Sequence, residues 1–447
     1  MTPSRRVTLI LLFTVSLLAK LGGVAYMNRY LAWNLMAPDT VGSYRPLAIS
    51  VLAGDGYQLA GDHARATKVA PGFPLYLAGI YKLFGADVPI WWLGVLNALM
   101  RAGVTLLVFL LAARAFGPLA GAAAGLIHAL DPWEAFWTAF VLKESLAVLL
   151  SVLAVLLIVR ALDRPTWLRG TLAGLILAAA SLTRFATLGL FPWTMLLLAV
   201  CGLRGLVPGR SAVRLAGAVT LGVLVGIAPW VARNYLVMGR LTVHTRAEFY
   251  FFVSNGPGAE RGPDTSGYAG FSGGDLKEIP NLVPRGTPRA KWRATLAEKT
   301  AEHLLTHPAL AGRLVLSRFI NLWRPTFAGS SLSNQALLGV PYCVMMCAAV
   351  IGLVLGIGRP RVWPSPAVPA SPTAGRDRLV LYWAVSFYVV LHVLFWSEIR
   401  YRQYITPFLA AFAGCAVAAV IAAAQRGTLA ARPIDERDPA AFDRGNP

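Results

Sequence analysis

Charge is scarce in this chain. Only 14% of the 447 residues are charged, against roughly 25% in a soluble domain, while 56% are hydrophobic. So few charges cannot cover a water-facing surface of this length, and lipid must be the main solvent. Disordered and collagen-like classes fall with the same numbers. Cysteine is rare too. Cys201, Cys343, Cys347 and Cys415 all lie in apolar stretches, so no disulfide framework follows. Cys343 and Cys347 sit one helical turn apart, but no His or carboxylate joins them, which speaks against a metal site. They read as small packing residues. Acidic residues number 21 against 41 Lys+Arg, a net charge of +20. In a soluble protein that excess would suggest nucleic acid. Here the arginines gather at the ends of apolar runs, so their partners are lipid headgroups, and no nucleic-acid partner is expected. The P-loop, His-Glu-x-x-His, Gly-x-Ser-x-Gly and paired Cys-x-x-Cys signatures are absent. No internal repeat or inverted pair of broken helices is visible, which speaks against a transporter.

What is present is a series of apolar runs near the length of about 20 residues that spans a bilayer. They fall at 7–27, 90–113, 116–131, 135–159, 169–183, 186–203, 212–230, 333–358, 379–397 and 403–424. The expected fold class is an all-α integral membrane protein with about ten transmembrane helices. The first run carries Arg5 and Arg6 before an apolar core that continues past Lys20 to Met27. No Ala-x-Ala site follows, so it reads as an uncleaved first helix and not a signal peptide. Small-xxx-small spacing at Gly117/Gly121/Gly125, Gly222/Gly226 and Gly352/Gly356 reads as close helix packing.

Short connections and the tail holding Arg114, Arg160, Arg164, Arg169, Arg204, Arg210, Arg214, Arg359, Arg361, Arg376, Arg378, Arg426 and Arg432 fall on one side together with Arg5 and Arg6. The positive-inside rule makes that side cytoplasmic. Two long loops, 28–89 and 231–332, face the other way and hold short amphipathic helices. Within the second loop, 253–290 is rich in Gly, Pro, Asn and Ser. In the stretch that follows, Leu310, Leu314, Phe319 and Leu322 interleave with Arg313, Arg318 and Arg324, a pattern suited to the membrane face. The expected organisation is a membrane module over 1–332, C-terminal helices over 333–424 and a disordered cytoplasmic tail over 425–447.

Candidate chemistry lies at the loop side of the membrane. Asp39 follows the first helix, and on residue type alone it is either an N-cap or a functional carboxylate. Glu144 lies about two turns inside an apolar run beside Lys143. A charge there is costly, so it is either functional or paired with Arg or Lys. Arg184, Arg233, Arg400 and Arg402 stand at helix ends on the same side as Lys68. They either snorkel to headgroups or together hold a lipid-linked phosphate, whose oxygens an arginine fork binds in pairs.

These elements, in order, resemble the GT-C superfamily of membrane glycosyltransferases. The closer likeness is to the bacterial branch related to dolichyl- or polyprenyl-phosphate-mannose protein mannosyltransferases and aminoarabinose lipid A transferases. The carrying stretches are Asp39 with Tyr44, then PGFPLYLAGIYKLFG, KESL, GIAPWVARNY with VSNGPGA, HPALAGRLVLSRFINLWRP and EIRYRQYITP. The resemblance implies a polyprenyl-phosphate sugar as donor, an acceptor outside the cytoplasm, and inversion by direct displacement. Its essential first-loop carboxylate corresponds to Asp39. Many relatives carry two adjacent acids there, whereas this chain has Asp39-Thr40, so a divalent metal is possible but not implied by the residues, and no other cofactor is expected. Lys68, Arg184, Arg233, Arg400 and Arg402 become candidates for the donor phosphate. Glu144 becomes a catalytic candidate, orienting one of these arginines or the acceptor. Tyr44, Asn234, Tyr235 and Asn255 are the candidate substrate-binding residues.

The expected function is transfer of a sugar from a polyprenyl-phosphate donor to a lipid, glycan or protein. The expected location is a bacterial cytoplasmic membrane, with the active site on the extracytoplasmic face. The alternatives are a GT-C ligase or polymerase using diphosphate-linked oligosaccharide, a lipid-linked sugar flippase or transporter, and a structural scaffold.

Overall fold

The computed structural model describes residues 3–31, 35–59, 66–244, 251, 252, 254–256, 289–327, 329–357 and 372–430. Among these no β-strand forms. The helices, in chain order, are α1 (Pro3–Leu31), α2 (Arg45–Leu52), α3 (Gly72–Phe84), α4 (Ile90–Phe116), α5 (Pro118–Leu130) and α6 (Pro132–Thr138). Then come α7 (Glu144–Asp163), α8 (Trp167–Thr183), α9 (Leu190–Leu203), α10 (Gly209–Met238), α11 (Arg289–Thr306), α12 (Pro308–Leu322), α13 (Val340–Ile357), α14 (Ala374–Leu394) and α15 (Thr406–Ala430).

Among the described residues, 8 helical segments are long and apolar enough to cross a membrane. The expected spans at 116–131 and 169–183 are shorter, as α5 with 13 residues and α8 with 17. Their ends are cut by local chemistry. Gly117, at φ +98°, turns the chain tightly and Pro118 then starts α5. Thr166 caps α8 by accepting from the Arg169 amide.

The expected helix over 135–159 requires correction, because the chain breaks between Thr138 and Glu144. The apolar sequence AFVL gives no sign of it. Distant groups take up the freed backbone: Asn97 donates to the Thr138 and Phe140 carbonyls at 3.1 and 2.9 Å. The Val141 amide donates to the Leu35 carbonyl at 3.0 Å, and Thr40 Oγ1 donates to the Val141 carbonyl. Glu144 is therefore not buried mid-span. It is the first residue of α7, where the helix dipole favours a carboxylate.

One core runs through the bundle, from Val104 and Val108 of α4 through Leu177 of α8 and Val219 of α10 to Phe408 and Phe412 of α15. It includes residues from both sides of position 332. Close packing depends on glycine at α8–α10: a methyl on Gly222 would strike the Thr171 carbonyl, and one on Gly174 the Val219 carbonyl. Side chains such as Leu203, Val213 and Leu236 point outward, as a lipid-facing surface requires.

The helices alternate in direction, so α1, α8, α10 and α14 end where α4, α7 and α15 begin. At the opposite end Arg114 pairs with Asp163 and Asp377, both at 2.9 Å, and Arg376 pairs with the same two carboxylates. That network joins α4, α7 and α14. Of the second loop, residues 231–244, 251, 252, 254–256, 289–327 and 329–332 are described, including α11 and α12. Most of the Gly-rich stretch lies outside the described residues. The tail expected from 425 is helical as far as Ala430, and 431–447 lie outside the described residues.

Candidate active site

A cavity of about 510 Å³ opens at the end of the bundle where α1, α8, α10 and α14 finish. Its wall combines separate chain segments: Asp39, Ser43 and Tyr44 after α1, Lys68 before α3, Lys143 before α7, Arg184 after α8, His244 after α10, and His392, Glu398, Arg400 and Tyr401 around the end of α14.

Asp39 occupies an N-cap position, yet its side chain makes no capping hydrogen bond. Its side chain is 54% exposed and stands 3.7 Å from Arg400 Nη1. The helix does not use this carboxylate, which leaves it for the cavity. Arg400 also pairs through Nε with Glu398 at 2.7 Å and donates to the Tyr401 hydroxyl at 3.2 Å. Burial pushes the Glu398 carboxyl up, although Arg400 pulls the other way. Burial alone would lower Arg400, but Tyr401, Glu144, Glu398 and Asp39 outweigh it and hold the guanidinium firmly protonated.

Arg184 is 8% exposed. Its guanidinium lies between the rings of Tyr401 and Tyr404, at 4.4 and 4.1 Å from their centroids. Stacking fixes the plane while leaving the in-plane donors available, and Nη1 has no hydrogen-bond partner among the described residues. Glu144 stands behind the wall, 3% exposed, without lining the cavity. Its charge acts on Lys143, Arg400 and Arg184, and its Oε2 has no hydrogen-bond partner among the described residues. No ion pair within 4 Å joins it to any of them.

Asp39, Tyr44, Lys68, Arg184 and Arg400 thus meet in one cavity. The other candidates do not line it. Arg402 is 2% exposed and turned away. It donates to the Arg324 carbonyl at 2.6 Å and stacks over Trp133 and Tyr342 at 4.5 and 3.8 Å. Arg400 and Arg402 share the 3₁₀ turn Ile399–Tyr404. With three residues per turn, positions two apart point about 120° apart, and here Arg400 faces the cavity while Arg402 faces away from it. Arg233 reaches the Tyr57 carbonyl and lies over Trp230. Asn234 is buried and donates to the Thr242 carbonyl at 2.8 Å, and Tyr235 faces outward at 53% exposure. Asn255 donates to the Leu394 carbonyl and accepts from Arg318 at 2.9 Å, which fastens its neighbour Ser254 to the cavity wall.

The residue-by-residue reading missed Lys143, His244, His392, Glu398 and Tyr401 as wall residues. Lys143 was visible only as the neighbour of Glu144. The histidines carried no motif, and Glu398 and Tyr401 were overshadowed by the adjacent arginines.

Residues 68–232 match the family model of dolichyl-phosphate-mannose-protein mannosyltransferases. The fold is similar to that of the archaeal oligosaccharyltransferase AglB from Archaeoglobus fulgidus, solved in complex with an inhibitory peptide and a dolichol-phosphate. The TM-score is 0.52 at 12% identity, covering 96% of this chain and 53% of that one. The matched segment thus resembles the mannosyltransferase family, and across most of its length the fold is similar to that of a membrane oligosaccharyltransferase. The apo form of the same oligosaccharyltransferase gives a TM-score of 0.53 at 12% identity, covering 95% of this chain and 52% of that one. The form tethered to an acceptor peptide with an NVT sequon gives 0.52 at 12% identity, with 94% and 50% covered. The chain therefore spans about half the length of the solved structures it matches. No curated protein matches it at a significant level.

The described residues around Asp39 do not fit a divalent metal. Thr40 stands beside Asp39, and its hydroxyl is committed to the Val141 carbonyl. The wall also carries Glu398, His244 and His392, but Glu398 is paired with Arg400, and Lys68, Lys143, Arg184 and Arg400 bring four cations to the same cavity. Among the described residues, no group of three or more His, Cys, Asp or Glu side chains could hold a metal ion.

Proposed function

We propose that this protein transfers a sugar from a polyprenyl-phosphate donor to an acceptor hydroxyl, using the cavity at the helix ends. The observation that carries the reading is a carboxylate without a structural task, Asp39, in a cavity walled by Lys68, Arg184 and Arg400. The phosphate of the donor binds the cations, and the lipid tail lies between helices. The acceptor hydroxyl is a weak nucleophile and needs a base within hydrogen-bond reach. Asp39 takes its proton as the acceptor oxygen attacks the anomeric carbon from the face opposite the phosphate. The new glycosidic C–O bond forms while the anomeric C–O bond to phosphate breaks. The electron pair leaves with the phosphate oxygen, and the configuration inverts. Phosphate is already a good leaving group, so the cations need only stabilise its growing negative charge. Glu144, behind the wall, orients Arg184 and Arg400 electrostatically.

The side of the two long loops is the extracytoplasmic face on this reading, and the arginines of the short connections on the other side support it through the positive-inside rule. The family model supports a mannosyltransferase-like chemistry. The sugar and the acceptor are for experiment. Purified protein in detergent is offered a panel of polyprenyl-phosphate sugars with membrane extract as acceptor, and released polyprenyl phosphate is measured. One donor should support release, and Asp39→Asn should abolish it while the protein still inserts and folds. Near-full activity in that variant would remove Asp39 as the base. Release only from diphosphate-linked oligosaccharide would replace the donor class.

A further inference from the structure

The strongest unassigned group in the cavity is Lys143. Its ammonium donates to the Tyr44 hydroxyl at 2.9 Å and stands 5.6 Å from that ring's centroid. Unlike Arg400, which already faces Glu398 and Asp39, Lys143 makes no ion pair among the described residues. Its hydrogen-bond partner is a neutral hydroxyl, and its nearest opposite charge, Glu144, stands behind the wall without a close ion pair, so the ammonium presents positive charge to the cavity. It is also the N-cap residue of α7, so the backbone dipole adds to the same potential.

Its position is built by the helix break. Had α6 and α7 been one helix, residue 143 would lie inside a continuous apolar span. The break is held by Asn97 on its two carbonyls, by the Val141 amide on the Leu35 carbonyl, and by Thr40 on the Val141 carbonyl. Thr40 adjoins Asp39, and Val141 lies two residues from Lys143. The proposed base and this cation are therefore set on one framework joining the first loop to the break. Thr40 itself is fully buried, so the position next to Asp39 works as a latch and offers nothing to a cation.

We propose that Lys143 contacts the donor phosphate and neutralises the charge that develops on it as the sugar leaves, with Thr40 as the positioning residue that holds Lys143 in register with Asp39. The proposal rests on the transfer reading given above and adds a residue which that reading does not require. A lysine supplies a compact point charge where the arginines supply planar forks. Lys143 accordingly follows the departing oxygen while Arg184 and Arg400 hold the remaining ones.

The test compares wild type, Lys143→Met, Lys143→Gln and Lys143→Arg, reading polyprenyl-phosphate release, the KM for donor, and inhibition by added polyprenyl phosphate. Loss of one preorganised charge-stabilising group typically costs about 10²–10³-fold in turnover. Both neutral variants should fall by about that factor in kcat and lose inhibition by polyprenyl phosphate roughly tenfold. Lys143→Arg should recover most of both. Thermal unfolding in detergent should stay near wild type for all three, because the side chain makes one hydrogen bond to a neutral group. A folded neutral variant with kcat within about threefold of wild type and unchanged product inhibition overturns the proposal. Should Lys143→Met fail to fold, Lys143→Gln decides alone. A wild type that neither releases nor binds polyprenyl phosphate overturns the transfer reading itself, and the role of Lys143 with it. A wild type that does both, beside insensitive Lys143 variants and an inactive Asp39→Asn, overturns only this inference.

Discussion

Replacing Arg184 by Met separates its catalytic from its structural work. The guanidinium is sandwiched by Tyr401 and Tyr404 at 4.4 and 4.1 Å, and the side chain is 8% exposed. A cation over an aromatic face is worth about 0.5–1 kcal/mol at exposed sites and about 2 when desolvated. Two such contacts at a largely buried site come to about 2–4 kcal/mol of stability. Methionine fills much of the slot and contacts both rings, so the net loss should fall near the lower end of that range. The catalytic loss is separate. A preorganised donor aimed at developing charge is worth about 10²–10³-fold in turnover, or about 3–4 kcal/mol of barrier. Arg184→Met should therefore lower kcat by at least about 10²-fold while shifting unfolding by only a few degrees. Arg184→Lys keeps the charge and loses the planar stack, so it should recover part of the rate and less of the stability. The assay is single-turnover release of polyprenyl phosphate, normalised to folded protein, alongside thermal unfolding in the same detergent. Turnover within about threefold of wild type in a folded Arg184→Met protein would refute the assignment.

Arg402→Met should show the opposite pattern. It strips a buried donor from the Arg324 and Pro325 carbonyls, which costs about 1–3 kcal/mol per group left unsatisfied. The unfolding midpoint should fall while activity per folded molecule stays near wild type; a selective loss of kcat would return Arg402 to the site. Chelation with EDTA should leave polyprenyl-phosphate release unchanged, since the cavity offers mainly cations around Asp39. A loss of activity restored by one particular divalent ion would show that a metal is recruited after all.

The candidate site was partly legible in the sequence because topology brings its residues together. Arg184 and Arg400 stand at apolar-run boundaries and Asp39 and Lys68 in the long loop on the same side, and alternating spans force these segments to one end of the bundle. Membership in the cavity was less legible. Arg400 and Arg402 share a boundary, but a 3₁₀ turn sends them in different directions, and nothing in EIRYRQY selects which one turns inward. Arg233 and Asn234 were placed at the right end of α10, yet their side chains serve the first-loop backbone and the Thr242 carbonyl. Lys143 was hidden for a different reason. The segment AFVL is apolar throughout, so periodicity carries a helix straight through it.

Composition and run length by themselves determined that the chain lives in lipid, roughly where most of its helices fall, and that arginine collects in the short connections on one side. Each is a local consequence of what a bilayer excludes. The tertiary structure alone decided where the third long span breaks, which arginine faces the cavity, and that Thr40 is a latch. Those outcomes depend on hydrogen bonds between residues far apart in sequence: Asn97 with Thr138 and Phe140, Leu35 with Val141, and Arg402 with Arg324. In a medium without water every backbone group must find a protein partner. The partners available at one position are set by the segments that pack there, and the local sequence contains no record of them.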